Sequence, residues 1–329
     1  MIKRYKMELG FWGKLKRPIM AMAPMANVTD AAFRLLFLKY GKPDVFWTEF
    51  VSVEGLLSAG REELLMDFWH SPLEKPIVAQ IFGSKPEQFE KGALMAKELG
   101  FDGIDINMGC PDKSIEKSGA GANLIKNPKL AREIIAACKK AGLPVSVKTR
   151  IGYHQNEIET WLSEILAEGV AALTVHLRTR DEMSDVPAHW ELAPQIVEIR
   201  NKYSPETILL GNGDVNSLDE AHEKIKASGF DGVMIGRGMF GNPGFFTGKT
   251  PDVVQKLDWA IEHSELFEKT YKSNLSREAG SLKGFDIMKK HFKAYIAGFL
   301  GAKELRAKLM ETESAGEVRK IIEDFKKGL

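Results

Sequence analysis

Cysteine is scarce in this 329-residue chain. Only Cys110 and Cys138 are present, too few for a disulfide framework, and they read as reduced thiols in a cytoplasmic protein. Net charge is almost absent too: 46 basic against 45 acidic side chains leave +1, which confines any nucleic-acid contact to a local patch. No apolar run reaches the ~18 residues that a membrane helix needs. Lys3, Arg4, Lys6, Lys14, Lys16 and Arg17 do precede the apolar stretch IMAMAPMA. Pro24 cuts that stretch, and Asn27 and Asp30 follow at once, so it reads as a buried strand rather than a secretory signal. In a protein that stays inside the cell, the Asn27-Val28-Thr29 sequon has no role. The chain has no Cys-x-x-Cys, no His-Glu-x-x-His and no calcium loop, so no metal site is expected.

What the sequence does contain is alternation. Charged residues at 28% and aromatics at 9% exclude a disordered chain and allow a large core. Eight short apolar, β-branched runs are found at 19–25, 44–50, 76–82, 103–108, 144–149, 172–177, 207–210 and 232–235. Between most of them lie stretches with apolar residues at helical spacing. One helix is predicted over 31–40 behind Thr29-Asp30. Others are predicted over 86–99, 128–141 and 217–228, each followed by glycine. Eight strand–helix units with near-continuously apolar strands, within ~250 residues, fit a closed (β/α)8 TIM barrel better than an open sheet. No solenoid repeat accompanies them. After Pro251 only helical periodicity remains, with Phe285, Met288, Phe292, Tyr295 and Phe299 as one apolar stripe. The expected division is therefore a barrel domain over 1–250 and a smaller all-helical domain over 251–329, joined through GNPGFFTGKTPD.

In such a barrel, chemistry sits where strands end. The ends read Pro24-Met25-Ala26; Gln80; Asn107-Met108-Gly109-Cys110-Pro111; Lys148-Thr149-Arg150; His176-Leu177-Arg178-Thr179-Arg180; Gly211-Asn212-Gly213-Asp214; and Gly236-Arg237-Gly238. Glycines on the seventh and eighth strand ends let backbone N–H groups approach an anion, and Arg237 adds charge. Gly211–Gly213 and Gly236–Gly238 thus read as a phosphate cradle, against the plainer reading of tight turns only. Two motif matches fail. Gly236–Gly241 fits G-x-G-x-x-G but runs into Asn242, Pro243 and Gly244 instead of a helix. Gly248-Lys249-Thr250 lacks the first Walker glycine and is followed by Pro251.

Cys138, among Ile134 and Ile135, suits a small buried hydrophobe. Cys110 differs, lying in a strand-end loop between Gly109 and Pro111, where a mostly protonated thiol can act as acid or nucleophile. Lys148 is less specific; it could be a Schiff-base nucleophile, an anion contact or a surface residue. With His176 it would make an electrostatic pair near an anion.

The segments APMANVTDAAFR, QIFGS, DINMGCP with KSGAGANLI, VKTRIG, VHLRTR, LLGNGDV and MIGRGMFGNP, taken in order from about Pro18 to Phe246, resemble the tRNA-dihydrouridine synthases. The tail segment MKKHFKAYIAGFLGAKELR is similar to that family's helical RNA-binding region. The resemblance implies a flavin mononucleotide (FMN) barrel that reduces the C5=C6 bond of uridine in tRNA with NADPH. By position, Pro24, Met25, Ala26, Gln80, Lys148 and His176 would hold the flavin ring. Asn212, Gly213, Asp214, Gly236 and Arg237 would hold the ribityl chain and phosphate. Asn107, Arg150 and Arg178 would fall on the substrate side, with Cys110 as proton donor. Seven basic residues between 282 and 308 (Lys283, Lys289, Lys290, Lys293, Lys303, Arg306, Lys308) face only Asp286 and Glu304. They would form an RNA-binding rim, with Lys289, Lys290 and Lys293 at its centre.

The chain departs from the family pattern at Leu177, Asn27 and the stretch EMSDVPAHW, two of them expected near the substrate mouth. The alternatives are a dihydroorotate-dehydrogenase-like flavin barrel acting on a free pyrimidine, a flavin-free lyase using Lys148, and a non-catalytic RNA-binding protein. The basic tail argues against the first, and Cys110, Lys148 and His176 together argue against the last. A monomer is the default expectation.

Overall fold

A computed structural model of the chain describes residues 8–273 and 283–328; Lys3, Arg4 and Lys6 lie outside them. Eight strands form one parallel sheet: β1 (Ile19–Met22), β2 (Phe46–Ser52), β3 (Ile77–Phe82), β4 (Gly103–Met108), β5 (Val145–Arg150), β6 (Ala172–His176), β7 (Ile208–Asn212) and β8 (Gly232–Ile235). Their order is β1-β8-β7-β6-β5-β4-β3-β2, and a parallel bridge between Ala21 and Val45 joins the two ends into a cylinder. This is the TIM barrel that the alternation predicts. Strand β1 stops before Pro24, which has no N–H for a ladder; β7 runs two residues further than its apolar run.

The predicted helices stand at Ala31–Tyr40, Pro86–Glu98, Pro128–Lys139 and Leu218–Ser228. Each N-terminus has a local cause. The Asp30 carboxylate accepts from Phe33 N at 2.9 Å, Asn127 from Leu130 N at 3.2 Å and Ser217 from Glu220 N at 3.1 Å, while Pro86 supplies a preset φ at the first turn. Two crossover helical segments that the sequence reading does not name, Ile158–Ala167 and Ala193–Tyr203, complete the outer ring.

Period-2 alternation sorts each strand between two cores. Ile104, Ile106 and Met108 of β4 join the large cluster beneath the helices. Ile19, Ala21, Val45, Trp47, Val78, Ala172, Ile208, Leu210 and Met234 fill the lower cylinder. Trp12, on the short turn Gly10–Lys14, is buried with them and meets Trp47 at 5.7 Å between ring centroids, sealing the barrel base. One layer higher, the inward positions become polar: Gln80, Asp105, Asn107, Lys148, His176 and Asn212.

After Asp252 every described element is helical: Val253–Glu268, Met288–Tyr295, Ala302–Leu309 and Ala315–Lys326, with short turns. Met288, Phe292 and Tyr295 are buried, whereas Phe285 and Phe299 sit at the edge of the same cluster. Ala31, Ala32, Leu36 and Met66 belong to it too, so the tail packs on the first barrel helix. No helix among the described residues is long and apolar enough to cross a membrane.

The same contact carries buried charge. Lys283 pairs with Glu49 and, at 2.6 Å, with Asp67. Burial pushes the Glu49 carboxyl up to about 7 against the pull of Lys283. Arg34 and Glu74 form a fully buried pair at 2.5 Å. Lys283 therefore leaves the expected basic rim, being enclosed and neutralised between tail and barrel. Lys283→Met should remove about 3–5 kcal/mol of stability by stranding buried carboxylates; urea unfolding followed by circular dichroism checks this, and an unchanged midpoint would contradict it.

Candidate active site

The polar upper layer opens into a cavity of about 290 Å³ at the C-terminal ends of the strands. Pro24, Met25, Lys148, His176, Arg178, Asn212, Gly213, Asp214, Gly236 and Arg237 all line it. Ala26 is exposed beyond the rim. Gln80 has no exposed surface and lies beneath Asn107.

Two loops shape the anion side. Gly213 and Asp214 follow each other with φ of 125° and 49°, a bend that glycine takes without strain and aspartate tolerates. A methyl group at Gly213 would stand 2.7 Å from Ala188 Cβ. At Gly238 it would stand 2.0 Å from the Val215 carbonyl oxygen, so the two loops can meet only with glycine there. Gly236 has nothing nearer than 3.6 Å and leaves room toward the cavity. Gly211 corrects the expected cradle. It faces outward, and the space of its missing side chain is taken by Trp190 and Phe230.

Arg178 organises the wall between these loops. Its Nε donates to Val186 O at 2.6 Å, its Nη1 to His176 Nε2 at 3.0 Å and its Nη2 to Asp214 Oδ2 at 2.5 Å. A buried guanidinium engaged three ways is part of the cavity frame, and Arg178 also lines the cavity. Asp214 also accepts from Ala188 N at 2.8 Å. Although burial opposes it, the Asp214 carboxyl is held below its ordinary value by Arg178, that N–H group and Arg237. The stretch EMSDVPAHW thus supplies Ser184 to the cavity wall and holds Arg178 and Asp214 through the backbone of Val186 and Ala188. Leu177, by contrast, is fully buried in the outer core and does not reach the mouth. Asn27 adopts φ 54°, a conformation that asparagine tolerates, and gives its N–H to Glu49.

Burial and the surrounding cations set the protonation states. Desolvation, followed by Lys148, Arg150, Arg178 and Arg237, drives the His176 imidazole well below its usual range. Its Nε2 faces a guanidinium N–H, so the neutral ring accepts there and carries its proton on Nδ1. Burial and Arg150 lower the Lys148 ammonium to about 8.

Cys110 is half-buried on the loop after β4. Asn107 Oδ1 accepts from Gly109 N at 3.1 Å and Cys110 N at 2.9 Å, and Arg150 Nε donates to Gly109 O at 2.8 Å. Arg150 Nη1 is shared by Thr179 O and Met183 O, both at 2.9 Å, and Nη2 has no bond among the described residues. Asn107 and Arg150 therefore hold the loop as much as they face any ligand. Burial raises the Cys110 thiol above its ordinary value, with Lys148 and Arg150 opposing more weakly, so at neutral pH the group is S–H. Arg180 clamps the next turn through Glu116. Cys138 is fully buried with its thiol pushed far up, an inert core group.

The sequence reading misses Asp105. This fully buried carboxylate accepts from Ser146 Oγ at 2.5 Å and Gln80 Nε2 at 2.6 Å. Its signal is its position two residues before Asn107, on the same strand face. Outside the cleft, Lys290 and Lys293 are exposed and Lys289 half-buried on the helix Met288–Tyr295.

The family model described as dihydrouridine synthase (Dus) matches residues 21–328. The chain is 42% identical over 323 residues to the "Probable tRNA-dihydrouridine synthase" of Staphylococcus aureus (strain COL), covering 97% of this chain and 96% of the relative. It is 42% identical over 325 residues to the "Probable tRNA-dihydrouridine synthase 2" of Bacillus subtilis (strain 168), covering 98% of each. Among solved structures, morphinone reductase superposes with a TM-score of 0.52 at 13% identity, covering 76% of this chain and 91% of that one; the likeness is one of fold.

The arrangement around His176 predicts that its ring is neutral at pH 7, with the proton on Nδ1, and stays so well below the ordinary imidazole range. Arg178→Met should raise its pKa by removing a neighbouring cation. Nitrogen-15 NMR of histidine-labelled protein reads both, and an Nε2-protonated ring at pH 7 would contradict the assignment.

Proposed function

Since this chain belongs to the dihydrouridine synthase family, we propose that it reduces the C5=C6 bond of specific uridines in tRNA, with FMN in the cavity, NADPH as reductant and Cys110 as proton donor. The observation that carries this reading is a protonated, half-buried thiol on a braced loop beside a cationic cavity.

The cavity suits the cofactor. Pro24, Met25 and Met234 offer an apolar wall for an aromatic ring. Lys148, His176, Asn212, Gly213, Gly236 and Arg237 offer donors and cations for hydroxyls and a phosphate. Asp214 holds Arg178 and, at 3.5 Å, Arg237 in place. Gln80 acts on the site through Asn107. When bound, FMN would supply the hydride for uracil C6 after accepting one from NADPH.

The side chains supply the rest. As hydride reaches C6, negative charge develops at C5 and O4 of the base. Cys110, kept protonated by burial, gives its S–H proton to C5, a general-acid step worth ~10²–10⁴-fold in rate. Lys148, near about 8, is largely charged at neutral pH and steadies negative charge across the cleft. Asn107 and Arg150 hold the Cys110 loop, and their one uncommitted amide hydrogen and Nη2 are available to the uracil edge.

A base in folded RNA must leave its stack to enter a barrel mouth, so the surrounding RNA needs its own surface. We assign chemistry to residues 1–250 and RNA binding to 251–329. Lys289, Lys290 and Lys293 of the helix Met288–Tyr295, with exposed Lys303 and Lys308 of Ala302–Leu309, are the cations we assign to it.

Cys110→Ala should retain flavin absorbance while uridine reduction, measured as dihydrouridine formed in tRNA with NADPH, falls by roughly 10²–10⁴-fold. Wild-type turnover in that variant would remove the thiol from the mechanism. Replacing Lys289, Lys290 and Lys293 by Glu should weaken tRNA binding and flatten its salt dependence, since each lost phosphate contact lowers the slope by about one. An unchanged affinity and slope in a salt series would place the RNA elsewhere.

A further inference from the structure

A chain of polar groups runs under the Cys110 loop inside the barrel. Asp105 lies in register with Gln80 of β3 and Ser146 of β5. Gln80 gives Nε2 to Asp105 at 2.6 Å, and its Oε1 accepts from Asn107 Nδ2 at 3.0 Å. Asn107 Oδ1 then accepts from the backbone N–H groups of Gly109 and Cys110. Asp105 and Gln80 have no exposed surface and Asn107 has only 5%, so water does not substitute for a missing partner.

This order has one consistent direction. Burial pushes the Asp105 carboxyl up to about 6 against the hydrogen bonds of Ser146 and Gln80. At neutral pH it is thus mostly ionised and has no hydrogen to give, so Gln80 must turn its NH2 toward Asp105. Its carbonyl is then left for Asn107, which must turn its own NH2 toward Gln80. The Asn107 carbonyl is left for the loop. Reversing either amide would bring two acceptors or two donors face to face in a dry interior.

We propose that Asp105 is a positioning residue for Cys110: its carboxylate fixes two side-chain amides in series and thereby the backbone of the loop that carries the thiol. This rests on the reading of Cys110 as the proton donor. Asp105 touches neither substrate nor cofactor; Ser146, on its other oxygen, holds it in the barrel wall.

The test reverses the polarity of the chain. Asn107→Asp keeps the acceptor for both loop N–H groups but sets a second carboxylate against Gln80, which can serve only one of the two. Its kcat for uridine reduction should fall roughly 10- to 100-fold through misplacement of the thiol, and alkylation of Cys110 by iodoacetamide, followed on its peptide by mass spectrometry, should change by more than about threefold. Adding Asp105→Asn supplies an NH2 to Gln80 Oε1, so that Gln80 can give its own NH2 to the carboxylate introduced by Asn107→Asp; the double variant should bring Cys110 alkylation back to within about threefold of wild type. A double variant whose Cys110 alkylation stays as far from wild type as that of Asn107→Asp alone would overturn the proposal, as would a wild-type alkylation rate in the single variant. If the single variant does not fold and the double does, that rescue counts in favour. If neither folds, Gln80→Met serves: faster Cys110 alkylation supports the proposal, and alkylation at the wild-type rate overturns it. The alkylation arm stands apart from catalysis, so an active Cys110→Ala protein would sink the assigned role of the thiol without touching this result.

Discussion

The structure turns on the requirement that polar groups shut inside a barrel must satisfy one another. Below a certain layer the inward positions are Ile, Val, Ala, Leu and Met around Trp47, and packing alone decides them. Above it, Gln80, Asp105, Asn107 and Ser146 are enclosed in the interior, and Lys148 and His176 stand over them in the cavity lining. Each hydrogen bond then constrains the next, and the geometry at the mouth follows from pairings two layers beneath it. A TIM barrel suits this because its parallel register brings residues of neighbouring strands to one level.

The electrostatics of the cleft are a contest between desolvation and a surplus of cations. Lys148, Arg150, Arg178 and Arg237 converge there, and half-buried Asp214 pairs with two of them, Arg178 and Arg237. For His176 both effects push the same way, and the ring is neutral. For Lys148 burial and Arg150 outweigh the attraction of Asp105, and the ammonium comes down to about 8. For Cys110 they oppose, and burial wins, so a thiol surrounded by positive charge remains a thiol. That outcome separates a proton donor from a nucleophile more clearly than the presence of a cysteine does.

The sequence made the barrel legible because its strands are apolar on both faces and its helices begin at Asp30, Pro86, Asn127 and Ser217, where capping chemistry is local. The segments Ile158–Ala167 and Ala193–Tyr203 were equally available: Ile158, Trp161, Leu162, Ile165 and Leu166 fall at helical spacing. The strand-end motifs led to the cavity, and most of the residues drawn from them line it. What stayed hidden depends on which way a side chain faces and on partners distant in sequence. Gly211 looked like half of a cradle until Trp190 filled its place. The bonds of Arg178 to Val186 and Asp214 join loops that the sequence does not show to be neighbours. Lys283 looked like part of a basic rim, and only tertiary contact with Glu49 and Asp67 takes it out. Asp105 drew no notice, because an acid in an apolar strand acquires meaning only beside Gln80 and Ser146.

The aromatic turn at the bottom of the cylinder has a bearing on traffic. With Trp12 wedged against Trp47 like a cork, the described residues close the cylinder beneath Lys148, and the cavity lies at the opposite end. The side chains crowding that end, Met25, Ser184 and Arg237 among them, therefore act as gatekeepers for all arrivals alike, and a change to any one of them is felt by each guest in turn.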